Sequence, residues 1–290
     1  MYILLSAFSF AIMAVFVRAA GDLPAPQKAL FRNLISFLYA TVILLTARRK
    51  ERELGQGKQE QPQRQHAWGS LILRAAFGTA GVIANFYAID HLHLGEANSL
   101  NKLSPFFTIL ASALLLKERV KPYQLLSLIV AFGGAVLILQ PGGSGSFRAA
   151  HLVAIFGAFA AGMAYTYVRK LGLAGERGSF IVMFFSAFSI LALTPLVLWN
   201  YRPMTGRQLV FLLLAGVAAS FGQLGVTEGY RHAPARAVSI YNYTQIPFAA
   251  LLGLVLYSEY PPRLALLGYA LIIISALFMF AWEQRAEKRS

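Results

Sequence analysis

Ten apolar stretches of about 18 to 23 residues run through the chain, separated by short polar or Gly/Pro-rich breaks. They lie at approximately 2–20, 27–47, 68–89, 95–116, 122–140, 150–171, 178–199, 208–230, 235–257 and 263–282. Each is long enough to cross a ~30 Å hydrocarbon core as a helix. Lipid offers no partner to backbone N–H and C=O groups, so only helices or closed barrels span it. Continuous apolar runs without strict alternation exclude the barrel. With 57% hydrophobic and only 13% charged residues, the composition also lies outside the soluble range. The expected fold is therefore all-α, a polytopic membrane protein of ten transmembrane helices. The first run starts at Tyr2 without a basic leader or a small-residue cleavage site, so it is expected to be retained as a span. Cysteine is absent, which removes disulfides, iron–sulfur clusters and thiol chemistry.

The ten spans divide into two copies of one unit. SLNKLSPFFTILASALLLKER, with Pro105, matches SIYNYTQIPFAALLGLVLYSEY, with Pro247. Glu118 and Glu259 close the two apolar runs, Tyr87 and Tyr230 precede the prolines by nearly equal distances, and Val17-Arg18 overlays Val168-Arg169. Repetition at this spacing reads as a tandem duplication. Five spans per copy is an odd number, so the second copy enters the membrane in the opposite direction, giving inverted repeats. The expected boundaries are 1–140 for the first repeat, 141–149 for a Gly/Ser-rich external linker, 150–282 for the second repeat and 283–290 for a cytoplasmic tail.

The net charge of +14 would suggest nucleic acid in a soluble protein, but its placement gives another reading. About 17 basic residues fall in loops on one side and roughly 6 on the other, so the positive-inside rule puts both termini in the cytoplasm. The one long connection, Arg48 to His66, lacks aromatics and any nucleic-acid-binding module, so no nucleic-acid partner is expected.

A Pro-containing fourth helix ending in a Leu-rich run and Glu, present in both copies, and the small-residue-rich final helices AFGGAVLIL and ALIIISALFMF resemble the EamA branch of the drug/metabolite transporter superfamily. The resemblance covers essentially the whole chain. It implies a secondary transporter or exporter of a small organic metabolite, such as an amino acid or derivative, or an aromatic or amine-type compound. The carboxylates usual at the end of the fourth helix stand at Glu118 and Glu259. The small residue usual before them is Lys117 in one copy and Ser258 in the other.

A proline inside a helix removes the bond to the carbonyl at i−4, here that of Asn101 and of Tyr243. In lipid such a carbonyl needs a partner, so kinks at Pro105 and Pro247 are expected to face the bundle interior and line a midplane cavity. Asn98, Asn101 or Lys102, and Pro105 share one helical face. Tyr241, Asn242, Tyr243, Gln245 and Pro247 supply the counterpart, and Asn85, Tyr87, Tyr165 and Gln223 complete the expected substrate lining. A lysine deep in a span costs roughly 2.5 to 3.5 kcal/mol on insertion scales, which marks Lys102 as a binder of a substrate carboxylate or a proton-exchanging group. Glu228, near the cytoplasmic end of its span, is a second ion or proton candidate, with Arg231 in reach at i+3. Arg32 stands near the external end of the second span and Arg74 within the third.

The expected function is alternating access around this cavity, with a small-molecule substrate and the lipid bilayer as partners. A proton or counter-substrate, and a monomeric or homodimeric state, remain open. A channel-like facilitator is the first alternative. An integral-membrane enzyme is the second, resting on Asp90, His91, His93 and Glu96 as a metal-binding cluster. No HExxH, nucleophile triad or phosphate-cradling loop accompanies that cluster, so no cofactor and no metal are expected.

Overall fold

The computed structural model describes residues 2–53, 67–92, 97, 100–139, 149–258 and 263–287, and every regular element among them is helical. In chain order the helices are α1 (Tyr2–Ala19), α2 (Ala25–Glu53), α3 (Trp68–His91), α4 (Ser104–Leu115), α5 (Pro122–Leu139) and α6 (Ala149–Leu173). Then come α7 (Gly178–Trp199), α8 (Gly206–His232), the short α9 (Ala235–Ser239), a 3-10 turn (Ile240–Thr244), α10 (Gln245–Tyr257) and α11 (Arg263–Glu287). α1, α2, α3, α6, α7 and α8 are each long and apolar enough to cross a bilayer, and α4, α5 and α11 carry shorter apolar segments. The protein is an all-α polytopic membrane protein.

Helix packing follows the duplication. α3 lies along α6 as α8 lies along α1, α4 packs on α6 as α10 packs on α1, and α2 meets α8 as α7 meets α3. α2 also packs on α7 and α5 on α11, so each of these pairings maps onto itself when the copies are exchanged. Small residues allow the close approach that lipid cannot drive by hydrophobicity. A Cβ added at Gly157 would stand 2.9 Å from Ala84 Cβ, and one at Gly162 would stand 2.9 Å from Ser104 O. Hydroxyls then tie the interior together: Ser6 Oγ donates to Gly222 O at 2.7 Å, and Thr79 and Ser189 share a 2.6 Å hydrogen bond. Large apolar side chains such as Leu38, Val42, Leu114, Leu191 and Leu267 point outward, where lipid replaces water as their surroundings. Exposed aromatics sit at both ends of the bundle, Tyr2, Trp68 and Trp282 at one and Trp199 and Tyr201 at the other, as in membrane-interface belts.

The expected disturbance at the two prolines takes the form of an interrupted helix, and the residues before each new helix, Leu103 and Thr244, keep right-handed helical φ and ψ. Residues 102–103 form a turn before α4, which places Pro105 in the first turn of that helix. The ninth span divides into α9, the 3-10 turn and α10, with Pro247 as the third residue of α10. A first-turn proline sacrifices no helical bond, since its missing N–H would have had no intrahelical partner, and its fixed φ suits helix initiation. The prolines therefore lie in the first turn of a helix that begins partway along each expected span. At the C-terminus α11 continues to Glu287, through most of the expected tail. The expected linker lies outside the described residues except for Ala149, which opens α6.

Lys117 and Ser258, the residues that precede the two repeat carboxylates, both have φ of 54°. Each ends its helix in the left-handed region, where a residue with a Cβ is strained by roughly 1 to 2 kcal/mol and glycine is not. Lys117→Gly should accordingly raise stability by about 1 kcal/mol, read as a higher unfolding midpoint of the purified protein; an unchanged or lower midpoint would contradict the assigned cap geometry.

Candidate functional site

Both helix breaks open onto one interior cavity. From the first repeat Asn101, Lys102 and Ser104 reach it at the start of α4; from the second, Asn242 and Gln245 reach it at the start of α10. Its volume is about 80 Å³. A single water needs ~10–15 Å³ of such space, so a compact solute fits where it lies. Asn85 on α3, Tyr165 on α6 and Gln223 on α8 add polar groups, while Phe10, Phe86 and Phe185 supply apolar walls. Gly78, Gly81, Ala161 and Ala164 also line it, leaving room that larger side chains would fill.

Lys102 is 4% exposed, and its Nζ donates to Gln245 Oε1 at 2.6 Å. This bond joins the two broken helices across the repeat boundary. Asn242 Nδ2 donates to Tyr230 Oη at 3.0 Å, and the Tyr230 ring stacks on Tyr165 with centroids 5.0 Å apart. Among the described residues Lys102 has no carboxylate partner.

Two further cations face the same space. Arg32 and Arg74 line the cavity and are each 2% exposed. The Arg74 guanidinium lies 3.8 Å from the Phe185 ring centroid and that of Arg32 5.9 Å from it. Among the described residues no acidic side chain lines the cavity. The sequence reading placed both arginines in or near spans without assigning them to the lining. The available signal was the one used for Lys102, the cost of a cation in the hydrocarbon core.

Other candidates lie elsewhere. Tyr87 stacks on His91 at 4.0 Å, Tyr241 packs with the core around Tyr230, and Tyr243 is fully buried against Ile109 and Ile246. None of these three lines the cavity, nor do Pro105, Pro247 or Glu228. Glu228 accepts from Arg231 Nη1 at 2.6 Å. Asn98, Glu259, His93 and Glu96 lie outside the described residues. Asp90 is paired with Lys28 at 2.5 Å, and among the described residues no three potential metal ligands cluster.

At the end of the bundle where α4 and α6 finish, Glu118 binds three groups. Its Oε1 accepts from Arg169 Nε at 2.9 Å; its Oε2 accepts from Ser112 Oγ at 2.9 Å and from the Ala235 N–H at 3.2 Å. Arg169 in turn donates to Arg231 O at 3.2 Å. The repeat carboxylate is thus a clasp between the first copy and the second.

Broken membrane helices that meet at an interior polar cavity between two repeats define a membrane transporter. The chain belongs to the EamA-like transporter family, whose model matches residues 1–140 and 148–281, one match per repeat. It is similar to the pseudopaline exporter CntI of Pseudomonas aeruginosa, 31% identical over 94% of this chain and 92% of that protein. It is also similar to a riboflavin transporter of Vibrio cholerae, 27% identical over 79% of this chain and 77% of that protein. A solved crystal structure shares the fold with a TM-score of 0.75 at 17% identity, covering 99% of this chain and 97% of that one. These relatives are transporters, and the chain is a transporter rather than an enzyme.

Glu118→Ala removes the acceptor of three hydrogen bonds, one of them from a cation, and should lower stability by about 2 kcal/mol. Glu118→Gln should cost less because it keeps one acceptor oxygen. Equal unfolding midpoints for wild type and Glu118→Ala would contradict the clasp.

Proposed function

We propose that the protein is a secondary carrier that moves a small organic metabolite by alternating access around the cavity between the two helix breaks. The observation that carries this reading is the Lys102–Gln245 hydrogen bond, which places a buried cation of one repeat on the broken helix of the other, inside a cavity that both line. A lysine held in the membrane interior is costly and is retained where a substrate or ion pathway uses it. With three cations and no carboxylate among the described residues of the lining, the cavity suits an amino acid or related derivative better than an amine-type compound. Phe10, Phe86 and Phe185 suit an apolar portion of that cargo. The name of the pseudopaline exporter supports export as the direction.

In this reading the chain sits in a bacterial inner membrane with both termini cytoplasmic, in line with the basic loops. The Glu118–Arg169 clasp then closes the cytoplasmic end of the cavity and must separate when that end opens. Of the two coupling candidates, Lys102 is retained because it faces the cavity, whereas Glu228 is held by Arg231 away from it.

Lys102→Ala should insert normally and show strongly reduced cargo binding or flux in proteoliposomes; wild-type flux would contradict the assignment. Ala161→Cys, the one thiol in an otherwise cysteine-free chain, separates carrier from channel. A carrier lets an impermeant thiol reagent reach it from one face at a time. Protection by closing one face with no gain of access from the other, or simultaneous access from both, would sink alternating access.

A further inference from the structure

Arg74 is buried in the bundle interior with no hydrogen-bond partner and no carboxylate partner among the described residues; its Nε and Nη1 are both unpaired. It lies over the face of Phe185, and the Tyr165 hydroxyl group is a near neighbour of both Arg74 and Arg32 in the same lining. Arg32 approaches the same ring, its Nε is also unpaired, and its single hydrogen bond, to Asn33 Oδ1, is long at 3.5 Å. Two guanidinium groups thus share one apolar ring as their floor. Both cations are held away from water, and Arg32 Nε, Arg74 Nε and Arg74 Nη1 have no hydrogen-bond partner among the described residues.

That arrangement is expensive for the protein alone. A buried cation normally ends in an ion pair or a set of carbonyl acceptors, as Lys28 does with Asp90 and Arg169 does with Glu118. Like charges that converge without a counter-charge repel as well. The guanidinium is the side chain best matched to a planar or tetrahedral oxyanion, through paired N–H donors.

We infer that Arg32 and Arg74 form a seat for an oxyanionic group of the cargo, a carboxylate or a phosphate, so that the transported solute is an organic acid. Lys102 and Gln245 then bind a second polar part of the same solute, and the phenylalanine walls take its apolar portion. This assignment rests on the carrier reading and deepens it by naming the charge of the cargo. Loading offsets part of the positive charge that the three lining cations place in the core, and the empty carrier holds all of it.

Arg74→Met tests this, because methionine keeps an unbranched apolar stem over Phe185 and removes the charge. The purified full-length protein is titrated with succinate, with its uncharged isostere succinamide and with inorganic phosphate. Each is compared with sodium chloride at equal ionic strength, and a fourth arm adds short-chain phosphatidylglycerol as a lipid-borne phosphate. The expected result is that succinate or inorganic phosphate raises the unfolding midpoint of the wild type while succinamide does not. In Arg74→Met the apparent affinity falls roughly tenfold or more, and the midpoint without added anion is as high as that of the wild type or higher. No response of the wild type to either free anion, or an equal response in the variant, overturns the assignment. A midpoint in Arg74→Met well below the wild type without anion also overturns it, since Arg74 would then be a packing residue. A response to phosphatidylglycerol alone assigns the seat to a lipid headgroup and overturns the cargo reading. The access experiment with Ala161→Cys does not involve the arginines, so alternating access in a protein indifferent to oxyanions would remove this inference and leave the carrier standing.

Discussion

A polypeptide in lipid must satisfy its own backbone, and the architecture of this protein depends on where it breaks that rule. Most spans are continuous helices whose N–H and C=O groups are paired internally, with leucines and valines turned outward. The two interruptions, before α4 and through the 3-10 turn before α10, both lie at the interior cavity. Irregular backbone at that depth is tolerated where protein or water lines it, so the cavity and the breaks sustain each other. The Lys102–Gln245 bond holds them in register across the repeats.

Duplication explains the pairwise packing, and departures from it explain the chemistry. Helix contacts exchange faithfully between the copies: α3 on α6 reappears as α8 on α1. Both fourth-helix equivalents even end in a left-handed residue at the corresponding position, Lys117 and Ser258. The cavity is not symmetric, because Lys102, Arg32 and Arg74 all come from the first repeat and the second contributes the neutral Tyr165, Gln223, Asn242 and Gln245. The first copy supplies all three cations together with Asn85, Asn101 and Ser104, while the second supplies neutral hydrogen-bonding groups and the aromatic floor at Phe185. The charge that faces the cavity is therefore built into one half of the molecule.

Much of this is legible in the sequence because a bilayer leaves few options. Apolar runs of bilayer length locate α1, α3, α6 and α7 to within a few residues, and the positions of Lys102, Asn101, Asn85, Tyr165, Gln223, Asn242 and Gln245 at the cavity follow from polarity within spans. The prolines are different: a single Pro in an apolar run signals a disturbed helix, but whether the helix bends or starts afresh is decided by neighbours that satisfy the backbone. Tyr87 and Tyr243 show the other limit. An aromatic ring with a hydroxyl serves a packed core as readily as a binding site, and only packing shows that Tyr243 is enclosed by Ile109 and Ile246. Arg74 was visible as a charge in a span; that it converges with Arg32 on Phe185 depends on contacts between α2, α3 and α7 that no local pattern encodes.

The two interrupted helices are joined through Lys102 and Gln245 at the cavity. A double-mutant cycle on unfolding free energy, using Lys102→Met, Gln245→Leu and the pair, isolates that contact from whatever each side chain does alone. The contact predicts non-additivity of about 1.5 to 3 kcal/mol, the range for a hydrogen bond to a charged group. Additivity within ~0.5 kcal/mol would mean that the two side chains do not meet, and would contradict the account.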